Sequence, residues 1–203
     1  MNNDTQIYIL LSNPRTIVTK LIGLYTRAPY NHASIAFDPD LREVYSFGRK
    51  HPLIPVFGGF VKENIHSGVF ERATCAIYSC RVSRATYEQM RNYVRQFEEN
   101  DELYSYNFLG ILGIILNMEL GGENSYFCSQ FVSSVFQQAG VQLLNKSAAL
   151  TTPADLQSCS HLELIFRGRL DTYRRLCCYR RNNQVPQQPS YVLLQAHKSV
   201  PSQ

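Results

Sequence analysis

The stretch NSYFCSQFVSSVFQQAG, residues 124–140, places Cys128 at the start of a predicted amphipathic helix. Apolar side chains recur in it at helical spacing, and Gly140 is a typical residue at a helix end. Cys128 lies one turn before Phe131 and Val132 on the apolar face, so its thiol is predicted to point into the fold. The free N–H groups of a helix N-terminus carry about half a positive charge, which favours a thiolate over a thiol. The same N–H groups are able to hold an oxyanion.

A second stretch, YNHASIAFD at residues 30–38, places His32 at the start of a short apolar strand. If this strand packs against the Cys128 helix, the imidazole becomes a candidate base for the thiol. A cysteine on the apolar face of a helix is, however, most often a small core residue. The spacing alone therefore leaves both the catalytic and the structural interpretation open.

The composition favours one globular domain without a membrane span. The chain has 203 residues, of which 44% are hydrophobic and 12% aromatic. Its longest apolar segment, residues 107–120, is shorter than the roughly 20 residues that a spanning helix needs. The N-terminus lacks the basic region and cleavage site of a signal peptide, so a cytoplasmic location and reduced cysteines are expected. The cysteines have no zinc-site spacing, and no metal or cofactor is predicted.

A change in composition divides the chain near residue 174. Residues 174–203 contain five basic residues and no acidic ones, and they are rich in Pro, Gln and Ser. This composition predicts a domain over residues 1–173 and a largely disordered basic tail over residues 174–203. Such charges usually serve solvation, and no RNA- or DNA-binding motif accompanies them. We therefore expect no nucleic-acid partner, no transmembrane segment, and at most peripheral contact with a membrane.

The order of the predicted elements is typical of an α+β fold. Helical and alternating patterns are assigned by their apolar period and their capping residues. The prediction is a strand over 5–12, a helix over 14–27, a hairpin of 32–38 and 42–48, a long loop over 51–73, a strand over 74–82, a helix over 83–100, an apolar segment over 107–120, the Cys128 helix, a short helix over 151–158, and a strand over 162–168.

Two motifs resemble those of the NlpC/P60 papain-like superfamily. NHASIAFD followed by EVYSFG is similar to its histidine strand and hairpin partner, and YFCSQFV is similar to its nucleophile helix. The histidine precedes the cysteine here, as in the circularly permuted branch of YiiX/YaeF-like amidases, which are cousins of lecithin-retinol-acyltransferase-like enzymes. YNFLG before the cysteine and TPADL after it also fit permuted members. The resemblance covers roughly residues 5–172 and implies an antiparallel sheet packed against a helix that bears the nucleophile.

The resemblance also implies roles for individual residues. Cys128 matches the nucleophile, and His32 matches the general base. The residue that orients the imidazole lies in the family on the next hairpin strand, and that place falls on Ser46, a weaker acceptor than a carboxylate. Glu43, the nearest acid, is three residues away on the strand and points to the opposite face. Tyr106 matches a tyrosine found near the nucleophile that can hydrogen-bond an oxyanion, although a tyrosine in an apolar segment is often a core residue.

These roles predict a cysteine hydrolase that cleaves an amide bond, an amidase or peptidase, through a thioester intermediate. One alternative is a lecithin-retinol-acyltransferase-like acyltransferase or lipid thiol-esterase, because the apolar residues 107–120 precede the nucleophile helix and are able to hold an acyl chain. A second alternative is a catalytically retired papain-like binding module, which a serine at position 46 favours. The expected substrate is accordingly peptide-like, another amide, or an acyl lipid.

Overall fold

The secondary structure combines one large antiparallel sheet with several helices. The computed structural model describes residues 4–14, 28–50, 58–66, 68–122 and 124–184. The strands are β1 (Asp4–Asn13), β2 (His32–Ala36), β3 (Val44–Arg49), β4 (Gly58–Lys62), β5 (Thr74–Ser83), β6 (Ser105–Tyr106), β7 (Ser125–Tyr126) and β8 (Glu163–Arg169). The helices are α1 (Arg84–Glu99), α2 (Phe108–Leu116), α3 (Cys128–Gln138), α4 (Pro153–Gln157) and α5 (Leu170–Asn182).

Six strands form the main sheet in the order β4-β3-β2-β1-β5-β8, and every neighbouring pair is antiparallel. The central β1 pairs along its whole length with β5. The strands β6 and β7 form a separate parallel pair. An antiparallel sheet of this kind with flanking helices is an α+β fold, as the sequence predicts.

Helices cover the sheet on both faces. One apolar core joins alternate residues of β1, such as Ile9, to α1 and α3 through Phe97 and Phe131. The other core lies on the opposite face, where Leu10 of β1 packs in the same cluster as Tyr173 of α5. The alternation of side chains along a strand explains why consecutive β1 residues enter different cores.

Most of the predicted elements within the described residues are confirmed. β1, the β2–β3 hairpin, β5, α1, α3, α4 and β8 all lie where the sequence predicts them, and the apolar segment 107–120 contains α2. Ser83 caps α1 by accepting a hydrogen bond from the Thr86 N–H, and Gly140 follows α3 with a φ of 75°. The helix predicted over 14–27 falls on residues that lie, except for Pro14, outside the described ranges.

Two elements differ from the prediction. The segment predicted as a long loop over 51–73 contains β4, which pairs with β3 at the edge of the sheet. The predicted tail boundary at 174 falls inside α5, which continues to Asn182 and buries Tyr173 and Cys177 against the sheet. The disorder predicted from residue 174 therefore does not hold for residues 174–182, and residues 185–203 lie outside the described ranges.

The apolar segment after β6 forms a short helix. Asn107 caps α2 by accepting a hydrogen bond from the Gly110 N–H at 2.7 Å, and Asn117 ends it in a left-handed conformation. The helix is nine residues long. In the part of the chain that the structure describes, no helix combines the length and apolar character needed to cross a membrane.

Candidate active site

The first turn of α3 and the start of β2 meet, and they bring Cys128 and His32 together. The two side chains are hydrogen-bonded, and both residues are buried, with 4% and 8% of their surface exposed. The helix reaches this position because Phe131 and Val132 pack into the core beneath β2 and β3. The predicted proximity of the cysteine and the histidine is therefore present in the structure.

Backbone N–H groups also point at the Cys128 sulfur. Ala33 and Ser129 each donate a backbone hydrogen bond to it. Along β2 the odd-numbered N–H groups point towards β3, as the bond from the Phe37 N–H to the Glu43 carbonyl shows. The pairing of β2 with β3 stops at Ile35, so the Ala33 N–H has no ladder partner there and is available to the sulfur.

The charges at the site favour a thiolate–imidazolium pair. Burial raises the pKa of the Cys128 thiol, but the hydrogen bond and the charge of His32, together with the two backbone N–H groups, outweigh burial and lower it below the ordinary value. Burial lowers the pKa of His32, but the charge of Glu63 and the bonds to Cys128 and Glu63 raise it to about 10. His32 therefore carries a proton at neutral pH, and the lowered pKa of Cys128 favours the thiolate beside the imidazolium.

A third residue, Glu63, completes the arrangement. Its Oε1 lies 2.6 Å from His32 Nε2, and its side chain is only 5% exposed. Because Nε2 meets Glu63, the other ring nitrogen, Nδ1, is left for Cys128. The sequence of groups is thus thiol, imidazole and buried carboxylate, which is the geometry of an activated nucleophile with an oriented base.

The sheet register explains why Glu63 reaches the imidazole. Glu63 directly follows β4, and its N–H continues the β3–β4 ladder by donating to the Val44 carbonyl at 2.8 Å. Ser46 pairs with Val61 in this ladder, and Glu63 is two residues further on, so Ser46 and Glu63 share one face. The sequence does not point to Glu63, because residues 51–73 are interpreted as a loop and the strand β4 is not predicted there.

Ser46 lies on β3, as predicted, but Glu63 stands between it and the imidazole. The hydrogen bond to the His32 ring that was expected of Ser46 is made by Glu63 instead. Ser46 Oγ donates to Glu63 Oε1 at 2.5 Å, and Ser34 Oγ donates to Glu63 Oε2 at 2.8 Å. Glu43 lies elsewhere, because it forms an ion pair with Arg91 at 2.6 Å.

Tyr106 lies beside the candidate nucleophile. It is half-buried in β6. This strand lies close to the start of β4, since a Cβ added to Gly58 would lie 2.7 Å from the Tyr106 Cβ. Burial, and next the negative charge of Cys128, raise the pKa of the Tyr106 phenol well above its usual value. The hydroxyl therefore stays protonated at neutral pH, and its predicted oxyanion role stays a prediction.

The other cysteines have different environments. Burial, followed by the charge of Asp171, raises the pKa of Cys75 to about 12. Burial likewise raises the pKa of Cys177 to about 11, with smaller effects of nearby charges. Cys178 is exposed. Among the cysteine pKa shifts resolved within the described residues, only that of Cys128 is downward.

The arrangement is suited to acyl transfer through sulfur. A lowered thiol pKa, a protonated imidazole and a buried carboxylate are the groups that such chemistry needs. Among the described residues no cluster of three or more His, Cys, Asp or Glu side chains has the arrangement of a metal site. No family model matches the chain, and neither a curated protein nor a solved structure matches it.

Proposed function

We propose that this chain is a papain-like cysteine hydrolase of the circularly permuted NlpC/P60 type, which cleaves an amide bond. The observation that carries the proposal is the buried contact of Cys128 with His32, backed by Glu63 at 2.6 Å from the imidazole. A buried ion pair of this kind costs desolvation energy, so a fold that needs only a packed core gains little from it. Perturbed titratable groups with specific partners are typical of functional sites.

The proposed reaction begins with attack of the Cys128 thiolate on the carbonyl carbon of the substrate. A carbon–sulfur bond forms, and the carbonyl electron pair moves to oxygen, where the N–H groups at the start of α3 and the Tyr106 hydroxyl are the candidate donors. The tetrahedral intermediate then collapses and expels the amine. His32 gives its proton to the departing nitrogen, which leaves an acyl thioester on Cys128.

Water completes the cycle in the hydrolase. His32 accepts a proton from water as the oxygen attacks the thioester, and the carbon–sulfur bond breaks to release a carboxylic acid and the thiolate. Glu63 keeps the imidazole oriented and stabilises its positive charge in both halves of the reaction. An amine in place of water would make the same site a transferase.

An acyl-lipid substrate is the second candidate, and exposed apolar side chains near β6 and α2 in the sequence favour it. Four large apolar side chains between residue 103, just before β6, and residue 118, just after α2, are 54% to 65% exposed, namely Leu103, Leu109, Leu116 and Met118. Leu103 and Leu109 lie within three residues of Tyr106 in the sequence. Burying an acyl chain on such a surface contributes about 0.8 kcal/mol per methylene.

The retired binding module is the third candidate, and its main support is now weaker. That support was a serine in place of a carboxylate next to the imidazole. Glu63 supplies the carboxylate, and it is both buried and hydrogen-bonded to His32. The catalytic proposal therefore accounts for more of the observed contacts than the binding module does.

Parallel assays with three substrate sets distinguish these candidates. The full chain is given acylated amino-acid nitroanilides, acetyl nitrophenyl ester and dodecanoyl nitrophenyl ester, with Cys128→Ala and Cys178→Ala as paired variants. Anilide cleavage lost in Cys128→Ala and kept in Cys178→Ala supports the amidase. Cleavage of only the dodecanoyl ester supports the lipid enzyme, and no Cys128-dependent cleavage in any set supports the binding module.

A further inference from the structure

Two buried serines surround the carboxylate of Glu63. Ser34 on β2 and Ser46 on β3 are both 0% exposed, and each donates its hydroxyl to a different oxygen of Glu63. The hydroxyls lie 2.8 Å and 2.5 Å from those oxygens. With His32, the carboxylate therefore accepts three side-chain hydrogen bonds while almost removed from water.

We propose that Ser34 and Ser46 are positioning residues that hold Glu63 as a carboxylate, in one orientation, against His32. The inference rests on the proposed function, because it explains how the imidazole of that site is kept aligned. A carboxylate rotates about its last bond with little resistance unless its oxygens are held. Here one serine engages each oxygen, so the carboxylate plane and its distance to Nε2 are both fixed.

The serines also oppose the effect of burial on Glu63. Burial raises the pKa of this carboxyl, but the charge and hydrogen bond of His32 and the bonds from Ser46 and Ser34 outweigh it and lower the pKa below its ordinary value. A buried carboxylate that loses a donor keeps its desolvation cost without compensation. Removing either hydroxyl should therefore make Glu63 easier to protonate.

The two serines lower the pKa of Glu63 in addition to the charged group that faces it. On β2 the facing titratable group is His32, and from α3 Cys128 lies on the far side of the imidazole. The neighbouring Lys62 is directed away, with its ammonium over the Tyr45 ring and 3.6 Å from a carboxylate oxygen of Glu98. Within the described ranges, His32 and the two serines are the resolved partners of the Glu63 carboxylate.

A third buried serine provides a matched control. Ser12 on β1 is 0% exposed and pairs directly with His32 across the sheet, but its hydroxyl has no hydrogen-bond partner among the described residues. A Ser12→Ala change therefore removes the same atom at the same depth without touching Glu63. Any general effect of a small cavity near the site appears in this variant as well.

The test follows protonation of Glu63 through the imidazole signal of His32 in NMR spectra of the full chain, which does not require turnover. In Ser34→Ala and in Ser46→Ala, the acid inflection of this signal should move up by about one pH unit. The free energy of one hydrogen bond to a charged group corresponds to a pKa change of about that size. In Ser12→Ala it should stay in place. Cys128 alkylation measured on the same variants should show its acid limb moving in parallel.

A double-mutant cycle separates positioning from simple packing. In a Glu63→Gln background, adding Ser46→Ala should change the alkylation rate of Cys128 less than about twofold, because the group it acts on has lost its charge. An unmoved inflection in both serine variants, an equal shift in Ser12→Ala, or additive effects in the cycle would overturn the inference. If the inflection moves while wild-type Cys128 reacts no faster than Cys178, the positioning stands and the hydrolase proposal fails.

Discussion

Replacing Glu63 with glutamine tests the electrostatic basis of the site. The change keeps the size of the side chain and one acceptor oxygen, replaces the other oxygen with a donating NH2 group, and removes the charge that most strongly raises the pKa of His32 towards 10. Breaking a buried ion pair costs about 3 to 5 kcal/mol, and part of that loss falls on the imidazolium that stabilises the thiolate. One factor of ten corresponds to 1.36 kcal/mol, so we expect alkylation of Cys128 near pH 6 to slow by roughly 10- to 100-fold.

The assay is the rate of iodoacetamide labelling of the Cys128 peptide, measured by mass spectrometry between about pH 5 and 9. Glu43→Gln is the matched control, because Glu43 is also paired, with Arg91, but lies away from the imidazole. His32→Ala sets the lower limit of the rate. If Glu63→Gln labels within about twofold of the wild type across the range, or if Glu43→Gln is slowed equally, the assignment of Glu63 as the charge that supports His32 is refuted.

Three further predictions concern stability, chain length and the tyrosine. The lowered pKa of Glu63 stabilises the folded state at pH values above 4.5, the ordinary pKa of a glutamate, and this stabilisation is lost as the pH falls further. The raised pKa of His32 stabilises the folded state at pH values below 6.5, and this stabilisation is lost as the pH rises towards 10. The melting temperature of the wild type should therefore exceed that of Glu63→Gln most between pH 4.5 and 6.5, and a constant difference from acid to alkaline pH would contradict this. A chain ending at Tyr173 should melt several degrees below one ending at Gln184, because it lacks most of α5, and equal melting curves would show that α5 adds no stability. Tyr106→Phe should leave the alkylation rate nearly unchanged but reduce kcat for an activated ester by roughly tenfold, and an unchanged kcat would remove Tyr106 from the oxyanion site.

The sequence predicts well the two elements that carry Cys128 and His32 in the candidate site. The helix that begins at Cys128 is predictable because its apolar period and the glycine that follows it, Gly140, are local features of the sequence. His32 is found because it begins a strand of a short hairpin. The helix and the strand that carry these residues are encoded in their own segments, so the apolar pattern is sufficient to locate them, whereas their meeting depends on the packing of α3 against β2 and β3.

Glu63 is not predictable from local pattern, because long-range pairing places it. The strand before it begins with Gly58 and Gly59, which have low strand propensity. What fixes β4 is its ladder with β3 and the packing of Phe60 against Phe47 and Phe97 at the centre of an aromatic cluster. The register of that ladder, which no single segment encodes, decides that Glu63 rather than Ser46 meets the imidazole.

The last helix shows a different reason for error. Its basic composition suggests a solvated tail, and most of its side chains are indeed charged or polar. The buried residues Leu170, Tyr173 and Cys177 follow a helical spacing of three and four residues, which is a narrow apolar stripe. A composition average over residues 174–203 hides that stripe, because the boundary cuts through it.

Trapping of an acyl group on Cys128 is the most direct test of the proposed thioester mechanism. The full chain is mixed with acetyl nitrophenyl ester, quenched in acid, digested and mapped by mass spectrometry, with His32→Ala and Cys178→Ala treated in parallel. We expect a burst of nitrophenolate and an acetyl thioester on Cys128 that hydroxylamine removes, strongly reduced in His32→Ala and unchanged in Cys178→Ala. An acetyl group found only on the exposed Cys178, or equal acylation of Cys128 with and without His32, would contradict this mechanism.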